Sequence, residues 1–241
     1  MNVLRTSVCL LAISSTAAAQ QSGRSAPQQQ RAQTAQQPAQ GACTVQQAQQ
    51  AEQQQDWNGA IRIYSCLSAA APQDWRPVNS IAGVYGILNR PADEIQWSKK
   101  ASALAPQQPE PYLNMGSAQA TMKNTVAARA SFEKAMQLAP DSPLAPYSLG
   151  VLADEAQNAA DAERWYRRAL QIEPRFEDAS VSLAALLGNT NRVDQAIPIL
   201  EKVVATNPQA TDAKQMLDDM KRGGPQQQPQ TAPNQAPIER R

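Results

Sequence analysis

The chain has 241 residues, 22 basic and 21 acidic, a net charge of +1 and no histidine. Without histidine it lacks the commonest general base, histidine-assisted serine and cysteine nucleophiles, and imidazole metal ligands. The balanced charge provides no basic stripe to neutralise phosphates, which argues against nucleic acid as a partner.

The first nineteen residues, MNVLRTSVCLLAISSTAAA, combine an early Arg5, an apolar run around Val8–Ile13 and small residues at Ala17-Ala18-Ala19. This is the layout of a secretory signal cleaved near Gln20. The apolar run is too short to span a bilayer. Cys9 precedes most of that run, and Thr6-Ser7-Val8 before it makes a poor lipobox, so it is read as part of the discarded leader. Export is therefore expected, with the bacterial periplasm as the favoured compartment and a eukaryotic secretory route as the alternative that the layout also permits. Residues 20–40 are rich in Gln, Pro and Ala without an apolar period, as are residues 223–241. Neither segment can bury enough surface to offset the entropy of ordering, and both are predicted to be disordered. Residues 41–222 then hold 17 basic and 20 acidic residues.

Within that body Pro72, Pro106, Pro140, Pro174 and Pro208 stand 34 residues apart. A sustained period of this size belongs to stacked repeats, here with units at 41–74, 75–108, 109–142, 143–176 and 177–210. Five residues before each proline stand Leu67, Ala101, Ala135, Ala169 and Val203. Three earlier are Tyr64, Ser98, Phe132, Tyr166 and Leu200, and four earlier still Ala60, Glu94, Ala128, Ala162 and Ala196. Steps of three and four put these columns on one helical face. A second small column, Ala48, Ala82, Gly116, Gly150 and Ala184, lies upstream in each unit. Each unit is thus predicted to be two amphipathic helices, closely approached at small residues, with the proline ending the second. The turns between paired helices carry Asn or Asp, which tolerate turn conformations and cap the helix that follows. Pro198 falls inside the second helix of the fifth unit, where a kink is expected.

In the first unit Cys43 opens one helix and Cys66 lies near the end of the other. Antiparallel helices turning near Gln55 bring these two positions face to face, which predicts a disulfide worth about 3 kcal/mol by loop entropy. There is no C-x-x-C pattern to suggest a redox-active pair. At the far end, residues 211–222 are predicted to form a capping helix, with Met216, Leu217 and Met220 packed on the fifth unit and Gly223-Gly224 stopping it.

The units resemble tetratricopeptide repeats. The third carries the resemblance most fully, with Tyr112, Met115-Gly116, Ala128, Phe132, Ala135 and Pro140; the fourth keeps Leu149-Gly150, Ala162, Tyr166, Ala169 and Pro174. The resemblance implies an all-α, right-handed α-solenoid of about five helix-turn-helix units plus the capping helix. It also implies a concave groove lined by the first helices, taking an extended peptide or a helix. The residues placed there are Arg76, Asn79, Ser80, Leu113, Asn114, Ser117, Tyr147, Ser148, Val151 and Ser182. Family members that clamp a terminal carboxylate use Lys, Asn and Arg at set groove positions; only Asn114 fits, so that subclass is not expected.

No phosphate-binding or dinucleotide motif is present. The pairs Asp154-Glu155 and Asp218-Asp219 are read as solvated helix faces, and Trp57 and Trp165 as packing anchors, with Trp75 the more exposed contact. The expectation is a non-catalytic envelope adaptor that binds a protein or peptide and needs no cofactor. The alternative is a structural subunit of an envelope assembly, joined through the solenoid ends or the tails.

Overall fold

A computed structural model describes residues 43–223. The leader, the 20–40 segment and the tail beyond Gly223 lie outside the described residues. Eleven α-helices, and no strand, make up the described residues. Five helix pairs follow one another: α1 (Val45–Gln53) with α2 (Trp57–Ala70), α3 (Trp75–Ile87) with α4 (Pro91–Leu104), α5 (Glu110–Thr121) with α6 (Thr125–Leu138), α7 (Leu144–Glu155) with α8 (Ala159–Ile172), and α9 (Glu177–Asn189) with α10 (Val193–Thr206). Helix α11 (Thr211–Lys221) closes the stack. Its Leu217 is buried against the fifth unit, Met216 and Met220 pack beside it, and Gly223 leaves the helix at φ 94°. Among the described residues no helix is long and apolar enough to cross a membrane.

The small columns set the spacing within each pair. Ala48, Ala82 and Ala184 are fully buried, as are Ala60, Ala128, Ala162 and Ala196 on the partner helices. A Cβ on Gly116 would lie 2.5 Å from the Phe132 ring, and one on Gly150 equally close to Tyr166. The aromatic side chains therefore occupy space that glycine leaves empty, and each pair is held at backbone contact distance.

One turn geometry recurs in all five units. Gln55, Asn89, Lys123, Gln157 and Asn191 adopt positive φ of 53–61°. The next residue donates its N–H back to a carbonyl five residues earlier, as Asp56 does to Ala51 and Asn158 to Ala153, satisfying a carbonyl at the helix end. The Asx residue of each turn has one of two jobs. In the second and fifth units it takes the left-handed position (Asn89, Asn191). In the others it is the N-cap, where Asp56, Asn124 and Asn158 accept from the N–H of Gly59, Ala127 and Asp161. Helix α10 runs its full length through Pro198, whose ring is exposed. The carbonyl that loses its donor there is on the solvated side of the helix.

Successive first helices approach one another closely from α3 through α11, whereas successive second helices show no such backbone approach among the described residues. The stack is thus crowded along the first helices and splayed along the second. This makes α3, α5, α7 and α9 the concave side and α4, α6, α8 and α10 the convex side. Helix α1 contacts only α2, and the Cys43–Cys66 disulfide joins these two, with Cα atoms 6.1 Å apart.

Two substitutions test the spacing. Gly150→Ala drives a Cβ into the Tyr166 ring and is expected to lower stability by about 1–3 kcal/mol. Gly83→Ala, whose Cβ would meet nothing within 4 Å, is expected to raise it by about 0.5–1 kcal/mol. Urea melts of the three proteins check that order. Replacing both Cys43 and Cys66 by serine should cost about 3 kcal/mol, with hydrogen exchange accelerating first in α1.

Candidate binding groove

The concave face is built from one face of each first helix. Its floor repeats every 34 residues as Gln49, Gly83, Ser117, Val151 and Ala185, small side chains apart from the terminal glutamine. Leu113, Ser117 and Val151 are half-buried there and offer mixed apolar and polar contact. Asn79 and Asn114 meet across the junction of the second and third units, where the Asn114 side-chain amide donates to the Asn79 carbonyl oxygen at 3.1 Å. Arg76 is exposed at the rim and pairs with Asp74 at 2.8 Å; the Arg76 guanidinium holds that carboxyl below its usual range.

Two of the expected groove residues are elsewhere. Tyr147 is buried rather than lining the groove, its ring 5.9 Å from Tyr166 and edge-on to Phe176 at 5.3 Å. Ser148 is also buried, donating to the Leu144 carbonyl at 2.9 Å. The physical reason is Phe176, in the segment entering the fifth unit, which packs over this part of α7. Ser182 remains half-buried, with the Tyr147 and Tyr166 hydroxyls against it.

A set of polar groups that single-column reading does not reveal lies along the edge of this face. Glu52, Tyr64 and Ser80 come together where the first unit meets the second, the Tyr64 hydroxyl facing both the carboxyl and the serine. Asp154, Tyr166 and Ser182 form the same grouping three repeats later. Burial, reinforced by Glu52, pushes the Tyr64 hydroxyl up to about 12. Burial likewise raises Glu52, Asp154 and Asp178, the last two with help from Glu155 and Glu177 respectively.

In the second unit the corresponding position on α3 is Gly86. The carboxyl there comes instead from Glu94 on α4. It lies against Gly86, about 3.0 Å from where a Cβ would stand. Glu94 replaces the alanine of every other unit and is 6 % exposed. It has no hydrogen-bond or ion-pair partner among the described residues, and burial alone raises its carboxyl to about 8. The ionisable groups on the elements packed around it are Arg76 and Tyr85 of α3, Glu110 and Tyr112 of α5, and Arg90, Asp93, Lys99 and Lys100 beside or on α4. None of them changes that value. Beneath it Ser98, where other units have a large side chain, is fully buried with its hydroxyl unpaired.

On the convex side an open depression of about 530 Å³ lies between α6 and α8, lined by Met136, Arg164, Trp165 and Arg168. Arg164 is already engaged there, bonded to Asp161 at 2.8 Å and placed over the Trp165 ring. Trp57 and Trp97 pack against the core of the first two units, and Trp75, expected as the exposed contact, is half-buried.

Glu94 makes stability depend on pH. It binds its proton more tightly folded than unfolded, so its contribution is complete below the ordinary glutamate value of 4.5. That contribution is lost as pH rises and the loss levels off above about 8; each tenfold difference in proton affinity is worth about 1.4 kcal/mol. Thermal melts should show the parent protein losing stability relative to Glu94→Gln between those two values, with the difference constant above them.

Models of the tetratricopeptide repeat match residues 113–177 and 155–220. No curated protein matches the chain. Among solved structures it is similar to TTC0263, a thermophilic tetratricopeptide protein of Thermus thermophilus. The identity is 16 % over 73 % of this chain and 96 % of that one, with a TM-score of 0.64. It is also similar to MamA, at 23 % identity over 69 % of this chain and 91 % of that one (TM-score 0.53). A third likeness is to a chain of the Cut9–Hcn1 complex, at 17 % identity over 73 % of this chain but 35 % of that one (TM-score 0.62). The repeat models, the 34-residue columns and the stacked helix pairs agree: the chain is a tetratricopeptide repeat protein.

Proposed function

We propose that the protein is a non-catalytic adaptor of the cell envelope that holds an extended peptide or a helix of a partner protein along its concave face. The observation that carries this reading is the floor row Gly83, Ser117, Val151 and Ala185. Glycine, serine and alanine at three of these positions, on successive helices that approach closely, leave room along this face for a bound segment. Leu113 and Val151 supply apolar contact, and the Asn79 and Asn114 amides retain hydrogen-bonding capacity beyond the bond they share. A preformed surface of this kind binds without first ordering itself. Export is supported by the leader pattern of residues 1–19 and by the Cys43–Cys66 disulfide, since such bonds persist in oxidising compartments.

A photoreactive residue at Val151, compared with one at the exposed Val126 of the convex helix α6, tests the surface. Partner adducts are expected from position 151 and not from 126. Adducts from 126 alone, or capture that depends on residues 223–241, would favour the structural-subunit reading instead. Thiol labelling of unreduced protein from an envelope extract should find neither Cys43 nor Cys66 reactive.

A further inference from the structure

Charge is segregated between the two sides of the stack. The first helices α1, α3, α5, α7 and α9 carry Glu52, Glu110, Asp154, Glu155, Glu177 and Asp178 against one cation, Arg76. The second helices carry nine lysines and arginines against seven acids. Five of those seven acids are neutralised: Asp93, Glu133, Asp161, Glu163 and Glu201 each have an ion-pair partner, while Asp194 and the buried Glu94 have none among the described residues. Of the concave acids only Glu155 has one, the exposed Lys123 at 3.4 Å. Arg76 does nothing for them, being held by Asp74 in the preceding loop.

The second observation is Glu94. Four units have alanine at its position, and a methyl group would leave no polar atom to satisfy. Here a carboxyl without any partner is kept under Gly86, at the repeat position where α1 has Glu52 and α7 has Asp154. An unpaired buried carboxyl is costly in the free protein, and a cation arriving from outside removes that cost.

We propose that the concave face from α1 to α7 receives a cationic segment of its partner, whose lysine or arginine side chains are seated on Glu52, Glu94 and Asp154. This rests on the concave face being the binding surface and adds the chemistry of what it binds. Negative potential along a channel with low-dielectric walls concentrates a basic segment and rejects an acidic one. None of these three carboxyls has an ion-pair partner among the described residues of the free protein, so the preference is built into the unliganded state rather than induced by binding.

The test uses the purified full chain and labelled short peptides alternating lysine, glutamine or glutamate with serine, with amide chemical shifts reporting the location. The lysine peptide is expected to bind, to shift amides of α1, α3, α5 and α7, and to weaken steeply with salt. The glutamate peptide should not bind. Glu94→Gln should weaken lysine-peptide binding about tenfold above pH 8. In the parent protein, affinity should rise as pH rises towards 8, because lysine stays charged while Glu94 must lose its proton to pair; the variant should not show that rise. Asp154→Asn, at a half-buried site that tolerates an isosteric change, gives a second reading independent of the core position. If the glutamine or glutamate peptides shift the same amides as strongly, the charge inference fails while the adaptor reading stands. Lysine-peptide binding unchanged in the Glu94→Gln, Asp154→Asn double variant would overturn the inference by moving contact off this face. If no peptide of any charge shifts these amides, both readings fall.

Discussion

The fold depends on how closely two helix backbones approach within a unit. Gly116 and Gly150 leave room that Phe132 and Tyr166 fill, and Ala48, Ala82 and Ala184 do nearly the same at the other units. A larger residue in that column would open the pair. Because the column returns every 34 residues, the close approach recurs in each unit, and each unit presents similar faces to the next. The asymmetry of the stack follows from the same contact. First helices approach closely, second helices are held apart, and the concave face results from packing that is local to each unit.

The second unit departs from this scheme at two adjoining places. Its aromatic is replaced by Ser98, whose buried hydroxyl finds no partner, and its alanine by Glu94. Either change alone is unfavourable by the rules of core packing, since each leaves a polar group underground. Such local conflict in an otherwise consistent repeat is expected where a site takes precedence over stability. Glu94 also shows how the solenoid can vary its inner surface without altering its helices. A carboxyl reaches the groove edge through the gap at Gly86 from the second helix, while the first helix keeps its phase.

The periodic part of this architecture was legible in the sequence because each column has a physical duty. The prolines end helices, the small residues permit approach, and two cysteines equidistant from a turn are brought together. The left-handed turn position was only half legible. Asn89 and Asn191 advertise it, whereas Gln55, Lys123 and Gln157 take the same φ without any residue-type signal, held there by the backbone bonds around them. The groove was less legible for a similar reason. Helical phase puts Leu113, Asn114 and Val151 on the first-helix face, where they are half-buried, but it says nothing about a residue between helices that folds over α7, so Phe176 covers Tyr147 unannounced. The link between Glu52, Tyr64 and Ser80 crosses three helices. It becomes visible in the sequence only through its echo 102 residues later in Asp154, Tyr166 and Ser182.

The position of the disulfide bears on the acidic row. In a linear stack, a terminal unit is stabilised by one neighbour instead of two. Helix α1 is the extreme case, short, rich in glutamine and in contact with α2 alone. A capping box fixes its start, Thr44 and Gln47 bonding each other's backbone N–H, but leaves little apolar surface to hold it down. The covalent link from Cys43 to Cys66 replaces the burial that α1 cannot supply. Glu52 stands on this helix, facing the Tyr64 hydroxyl on α2 and Ser80 on α3. Without the link, α1 would be the first element to open, and the carboxyl at that end of the groove would lose its fixed distance from Glu94. Holding a weakly packed helix in place and keeping a row of charges in register are thus consequences of one bond.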